Sequence, residues 1–237
     1  MSRDLSELSR KAAAEFLRMA DQSVNSRGRF TVALAGGSTP KNLYSLLATP
    51  EFQEQLPWPR VHFFWGDERC VPADHPESNY RMVHESLLSK VPIPVENVYR
   101  MEGEKDPQLA ALRYEETLKR VFQLSDKDLP RFDLILLGLG EDGHTASLFP
   151  GSHAVEETNR LVTALYVEKL KAHRLTLTLP VLNHSANIFF LVAGKNKAGV
   201  LRDLLQGGHG SEPLPAQRVK PQEGKLLWFA DQAAANV

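Results

Sequence analysis

Short apolar runs recur along this chain, each followed by a stretch with helical spacing. The runs cover residues 30–35, 61–65, 97–100, 134–137, 175–179, 188–192 and 226–229. Several lack the polar alternation of a half-exposed strand, as expected of parallel strands buried on both faces. Between them the apolar spacing predicts helices over 40–47, 78–88, 108–122 and 197–205. Such alternation predicts an α/β fold, a parallel sheet with helices on both faces. At 237 residues with 42% apolar content, the chain can build one sizeable core, and a single domain is expected.

The first twenty residues carry charge in every apolar stretch, with Leu5, Leu8, Phe16 and Leu17 on one helical stripe. This predicts an amphipathic helix rather than a signal peptide. No segment approaches the roughly 18 unbroken apolar residues of a membrane span. Cys70 is the sole cysteine, which excludes an intrachain disulfide and a cysteine-built zinc site. A formal net charge of −1 provides no basic field for nucleic acid. A cytoplasmic protein without nucleic-acid or membrane partners is expected. The stretch 207–215, with its glycines and prolines, predicts a surface loop.

In open α/β sheets, ligands bind beyond the carboxyl ends of the strands. Three predicted strands end in residues suited to that role. After the first, Gly36 and Gly37 allow close backbone approach to a ligand, and Ser38, Thr39 and Pro40 open a helix. Thr39 is expected as its N-cap and Pro40 as its first residue, leaving free N–H groups and a helix dipole for an anion. The Gly-Lys ending of an ATP-binding P-loop is missing. After the second, Gly66 leads into Asp67, Glu68 and Arg69, where an arginine can clamp a phosphate or polarise a carbonyl. Cys70 reads as a small buried hydrophobe rather than an activated thiol.

The third end, "LILLGLGEDGHTASLFPG", contains G-x-G-x-x-G at Gly138, Gly140 and Gly143. As a dinucleotide fingerprint it fails, because Pro150 and Gly151 leave no room for a full helix and only Glu168 offers itself as the later acid. As chemistry, it places His144 in a glycine-rich turn at the start of a short helix, whose dipole favours neutral imidazole. Asp142 or Asp67 would fix its tautomer. Arg174, Lys195 and Lys197 supply cations, Lys197 being the best placed for a sugar phosphate. The other histidines (His62, His75, His84, His153, His173, His184 and His209) show no metal-ligand spacing, and no G-x-S-x-G serine elbow exists.

Taken together, "LAGGSTPKNLY", "FFWGDERCVP", "SNY", "FDLILLGLGEDGHTASLFPG", "RLTLTLPVLN", "LVAGKNKAGVL" and "LWFADQAA" resemble the 6-phosphogluconolactonases, in order from about residue 30 to 235. The resemblance implies a Rossmann-like fold related to glucosamine-6-phosphate deaminases and ribose-5-phosphate isomerases. It implies hydrolysis of 6-phospho-D-glucono-1,5-lactone in the oxidative pentose phosphate pathway, without cofactor or metal, by a monomer or weak homo-oligomer. The family's general base falls on His144 and its G-D-E-R arginine on Arg69. Its phosphate contacts fall on residues 36–39, with Arg174 and Lys197. The aminosugar-phosphate deaminases are the nearest alternative. They tend to carry an acid five positions after the histidine, where this chain has Phe149, and an aromatic where it has Arg69. A non-catalytic sugar-phosphate sensor on the same fold is a further alternative.

Overall fold

The computed structural model describes residues 1–207 and 212–235. The apolar runs form a five-stranded parallel sheet of order β2–β1–β4–β7–β8. Its strands are β1 (Phe30–Leu34), β2 (Val61–Trp65), β4 (Leu134–Leu137), β7 (Asn187–Val192) and β8 (Lys225–Ala230). From β1 the chain moves outward to β2 and then returns to the other side of β1 for β4. That reversal lies between β1 and β4, the position at which an open α/β sheet leaves a crevice.

Helices cover both faces, and the strand register shows why. Phe30 pairs with Val61 and Ala33 with Phe64, so Phe30 and Phe64 point to opposite faces. Phe16 of α1 (Leu5–Arg27) meets Phe30 edge-on at 5.2 Å, while Phe122 of α5 (Pro107–Phe122) meets Phe64 at 5.5 Å. Leu8 and Phe16 of the predicted stripe are fully buried. The helix α2 (Ser38–Leu47) is fastened to β1 by Tyr44, whose hydroxyl donates to Ala35 O at 2.8 Å and accepts from Ala35 N at 3.0 Å. Shorter helices complete the layers: α3 (Pro50–Gln53), α4 (Asn79–Ser86), α6 (His153–Glu156), α7 (Leu179–Asn183), α8 (Ala198–Gln206) and α9 (Gln232–Ala235).

A second, antiparallel sheet was not expected from the sequence. Its order is β3 (Asp67–Arg69), β6 (Ala172–Leu177), β5 (Val162–Val167). Gly66 joins the two sheets, donating to Leu34 O at 2.9 Å and accepting from Leu177 N at 2.8 Å. The charged segment after β2 is therefore itself a strand. Glu68, 2% exposed, fastens β3 to α4: its carboxylate accepts the N–H groups of Arg69, Asn79 and Tyr80 at 2.7–2.8 Å and the Ser78 hydroxyl at 3.2 Å. Burial still raises the Glu68 carboxyl above its ordinary value, against those hydrogen bonds.

Several boundaries differ from expectation. Residues 97–100 make one isolated bridge, between Val98 and Phe63, because Tyr99 is turned to stack on Phe64 instead of extending a ladder. The run 175–179 belongs to antiparallel β6, and Leu179 already opens α7. The helix α2 starts at Ser38, so Gly37 occupies the N-cap without a side-chain bond, and Thr39 and Pro40 lie inside the first turn. No helix starts at His144; the next, α6, opens at His153. Residues 141–150 form turns closed by a bridge between Thr145 and Leu148, so the expected helix dipole at the imidazole is missing. Of the predicted loop 207–215, residues 208–211 lie outside the described residues, as does His209.

Candidate active site

The turns leaving β1 and β4 form the floor of a cleft of about 500 Å³ at the topological reversal. Gly36, Gly37, Ser38, Thr39, Asp67, Arg69, His144, Arg174 and Lys197 all line it. Asp142 stands behind the imidazole. The sequence-named residues, scattered over 160 positions, are thus brought to one place.

His144 is oriented by its own turn. Its Nδ1 lies 2.5 Å from Asp142 Oδ1, which also accepts the His144 backbone N–H at 3.2 Å. The other oxygen, Oδ2, is paired with the Lys169 ammonium. Burial alone would raise the Asp142 carboxyl, but the bonds from Lys169 and His144 outweigh it and hold the group at about 2. An ionised carboxylate can only accept, so the proton sits on Nδ1 and Nε2 is left with a free lone pair. The ring rests against Phe149, with centroids 4.3 Å apart. Asp67 takes a different part: its Oδ2 accepts the Ser147 hydroxyl at 2.8 Å, while Asn79 Nδ2 lies 3.5 Å from Oδ1. Of the two carboxylates offered by the sequence, Asp142 is the partner of His144.

Two glycines make room for side chains of the protein itself. A Cβ on Gly140 would fall 2.0 Å from His144 Nδ1, and one on Gly36 would fall 1.9 Å from Asn79 Oδ1. Gly36 thus makes room for Asn79 and lines the cleft beside it. Gly37, at φ +99°, would bring a Cβ no closer than 3.9 Å to Pro40 Cδ, and its constraint is the backbone conformation itself.

Positive charge collects on the antiparallel sheet. Arg69 of β3 and Arg174 of β6 are register partners. Arg69 Nη1 donates to Glu77 O at 2.5 Å and Arg174 Nη1 to His173 O at 3.0 Å. Among the described residues neither forms a salt bridge. Arg174 is 9% exposed, and its burial, followed by the charge of Arg69, lowers its proton affinity. Two crowded guanidinium groups without a salt-bridge partner of their own are suited to a multiply charged anion. Lys197 ends the 3₁₀ turn that leads into α8. This turn is tied to the histidine loop by Asn196 Nδ2, which donates to Glu141 Oε1 at 2.6 Å.

Lys169, Asn79, Ser147 and Phe149 line the same cleft without having been singled out as site residues. Asn79 lay within the resembling "SNY", the one signal that pointed to it. Lys169 lies in a charged hairpin tip, indistinguishable in sequence from a solvated turn. Cys70 is half-buried, and burial pushes its thiol up to about 11, so it is no nucleophile at neutral pH. Among the described residues, no group of three or more His, Cys, Asp or Glu is arranged to hold a metal ion. Among the described residues, no helix is long and apolar enough to cross a membrane.

Fold and cleft define an α/β protein that presents an oriented imidazole and a cationic pocket at the switch point of a parallel sheet. Residues 3–228 match the family described as glucosamine-6-phosphate isomerases/6-phosphogluconolactonase, and the chain belongs to that family. It is 44% identical over 216 residues to a 6-phosphogluconolactonase of Synechocystis, covering 91% of this chain and 87% of that one. A solved 6-phosphogluconolactonase from Trypanosoma cruzi superposes with a TM-score of 0.88 at 32% identity, over 100% of this chain and 94% of its own. A monomeric glucosamine-6-phosphate deaminase shares the fold, with a TM-score of 0.82 at 21% identity over 100% of this chain and 99% of its own.

Proposed function

We infer that this chain hydrolyses 6-phospho-D-glucono-1,5-lactone to 6-phospho-D-gluconate in the oxidative pentose phosphate pathway. One observation carries the mechanism: an imidazole with its proton pinned on Nδ1 lines a cleft that also holds two arginines. His144 Nε2 takes a proton from water as the water oxygen attacks the lactone carbonyl carbon. The developing imidazolium is stabilised by ionised Asp142. Collapse of the tetrahedral intermediate breaks the bond between that carbon and the ring oxygen. The imidazolium returns its proton to the departing oxygen, which becomes the hydroxyl of the open chain. The new carboxylic acid ionises into solvent. No covalent enzyme intermediate is required.

Arg69, Arg174 and Lys197 receive the phosphate dianion together with the free backbone N–H groups of Ser38 and Thr39 at the start of α2. Asp67 holds the cleft wall through Ser147. The deaminase reading meets a specific obstacle. The position five after the histidine is Phe149, whose ring packs on the imidazole and has no proton to exchange.

The test offers the protein 6-phosphogluconolactone and, separately, glucosamine 6-phosphate, following acid release and ammonia. Acid release above the spontaneous rate, without ammonia, is expected. Ammonia release with no acceleration of lactone opening would overturn the reading in favour of a deaminase.

A further inference from the structure

We propose that Lys169 is a positioning residue for the His144–Asp142 pair, holding the carboxylate from the opposite side of the cleft wall so that the imidazole stays aimed at the substrate. The proposal rests on the lactonase reading above and extends it to a residue outside the histidine turn.

Three observations converge on Lys169. It projects from the connection between β5 and β6, and its ammonium meets Asp142 Oδ2, the oxygen that His144 leaves unused. Its Nζ also lies 4.7 Å from the centroid of the Phe149 ring, which His144 touches at 4.3 Å. It lines the cleft itself. Imidazole, carboxylate, ammonium and phenyl ring thus form a closed circuit in which each member touches two others.

An exposed lysine–carboxylate pair ordinarily contributes little to stability. Here the geometry gives it another task. Asp142 is bonded to His144 through Oδ1 alone, so the carboxylate plane is free to swing about Cβ–Cγ unless Oδ2 is held. Lys169 supplies that second attachment from a separate element. The same hairpin carries Arg174 five residues later, so one rigid antiparallel unit sets both the aim of the base and part of the anion site. The remaining charged groups on the cleft walls are Asp67 and Arg69 of β3, Glu77, Arg174 of β6 and Lys197. Neither acid among them hydrogen-bonds His144; Glu141 of the histidine turn accepts from Asn196, and Glu168, beside Lys169 in sequence, lines the adjoining cavity with Asp142, Phe149 and Lys169. No other group in that set replaces Lys169 at Asp142.

The test compares wild type, Lys169→Met and Lys169→Arg, using phosphorylated and unphosphorylated lactone and subtracting spontaneous hydrolysis. For Lys169→Met, kcat should fall about ten- to a hundredfold, by analogy with the loss when the outer partner of a metal-bound histidine is removed. KM should stay within about twofold, and the loss should be equal for both lactones. Lys169→Arg should recover most of kcat. With a cation gone from beside the pair, the acid limb of kcat/KM should also move to higher pH. Nitrogen-15 spectra of the His144 ring give a readout without substrate: a single Nδ1–H tautomer in wild type, and averaging of the two tautomers in Lys169→Met. Unchanged kcat and an unchanged ring spectrum in Lys169→Met would overturn the proposal. So would a loss confined to the phosphorylated lactone, which would make Lys169 a phosphate ligand. An inactive wild type with the expected ring spectra would instead defeat the lactonase reading and leave the positioning contact standing.

Discussion

The His144 ring is held by its neighbours, Asp142 and Phe149, so in the proposed mechanism small changes beside it should be as costly as its removal. Truncation to His144→Ala should lower lactone hydrolysis at neutral pH by about two to four decades, the span of a general base. A mutant with wild-type rate after background subtraction would refute the assignment. Asp142→Asn should retain the fold and lose much of the rate, since an amide can present either a donor or an acceptor to Nδ1 and no longer fixes the tautomer. Gly140→Ala drives a methyl group into the ring and should also abolish catalysis while a melting curve stays near that of wild type. At this scale the sequence was legible where a residue had few structural excuses. An imidazole in a glycine turn beyond an apolar strand is such a case. Lys169 had no comparable mark, because its significance comes from a carboxylate 27 positions away that only the folded hairpin delivers.

The antiparallel hairpin of β5 and β6, with β3 beside it, is the element that charges the cleft. Arg69→Ala and Arg174→Ala should each reduce the preference for phosphorylated over plain lactone by about ten- to a hundredfold, as for a lost charge-assisted bond. Equal losses on both substrates would remove these arginines from the phosphate site. Inorganic phosphate should raise the melting temperature of wild type more than that of either variant. This element was largely hidden in the sequence. β1, β2, β4 and β7 were readable because a strand buried on both faces needs an unbroken apolar run. β6 alternates Leu175, Thr176 and Leu177, a period-2 signature that read as another member of the parallel sheet. β3 is only three residues long, with charges at every position, and becomes a strand because Glu68 is buried under four donors. Thr39 was misplaced as a cap because Gly37, at positive φ, turns the chain two residues earlier.

At the scale of the whole molecule, stability should respond to acid in a defined direction. Asp142 is held at about 2 against an ordinary 3.8, burial opposing and Lys169 and His144 prevailing. Glu104 is likewise held at about 2 against 4.5 by its bond to Arg100. Groups depressed in the folded state stabilise it fully above their unfolded values and lose that contribution as pH falls through the folded ones. Glu68, raised by burial, works in the opposite sense, favouring the folded state as it protonates. The depressed carboxylates outnumber it, so the melting temperature should fall between about pH 4.5 and 2. Melting curves across pH 2–7 check this, and a temperature that rises on acidification would contradict it. The parallel order and the reversal between β1 and β4 explain why residues so far apart in sequence share one cleft, a consequence of topology that no local pattern displays.

The absent side chain of Gly140 has a genetic consequence. The space it leaves is occupied by the imidazole, so the fitness cost of any larger residue there belongs to His144 rather than to position 140. Once His144 has been truncated, Gly140→Ala should become nearly silent for activity, and the double variant should be no worse than His144→Ala alone. A survey of single variants would count Gly140 and His144 as two separate requirements. A survey of pairs would find one.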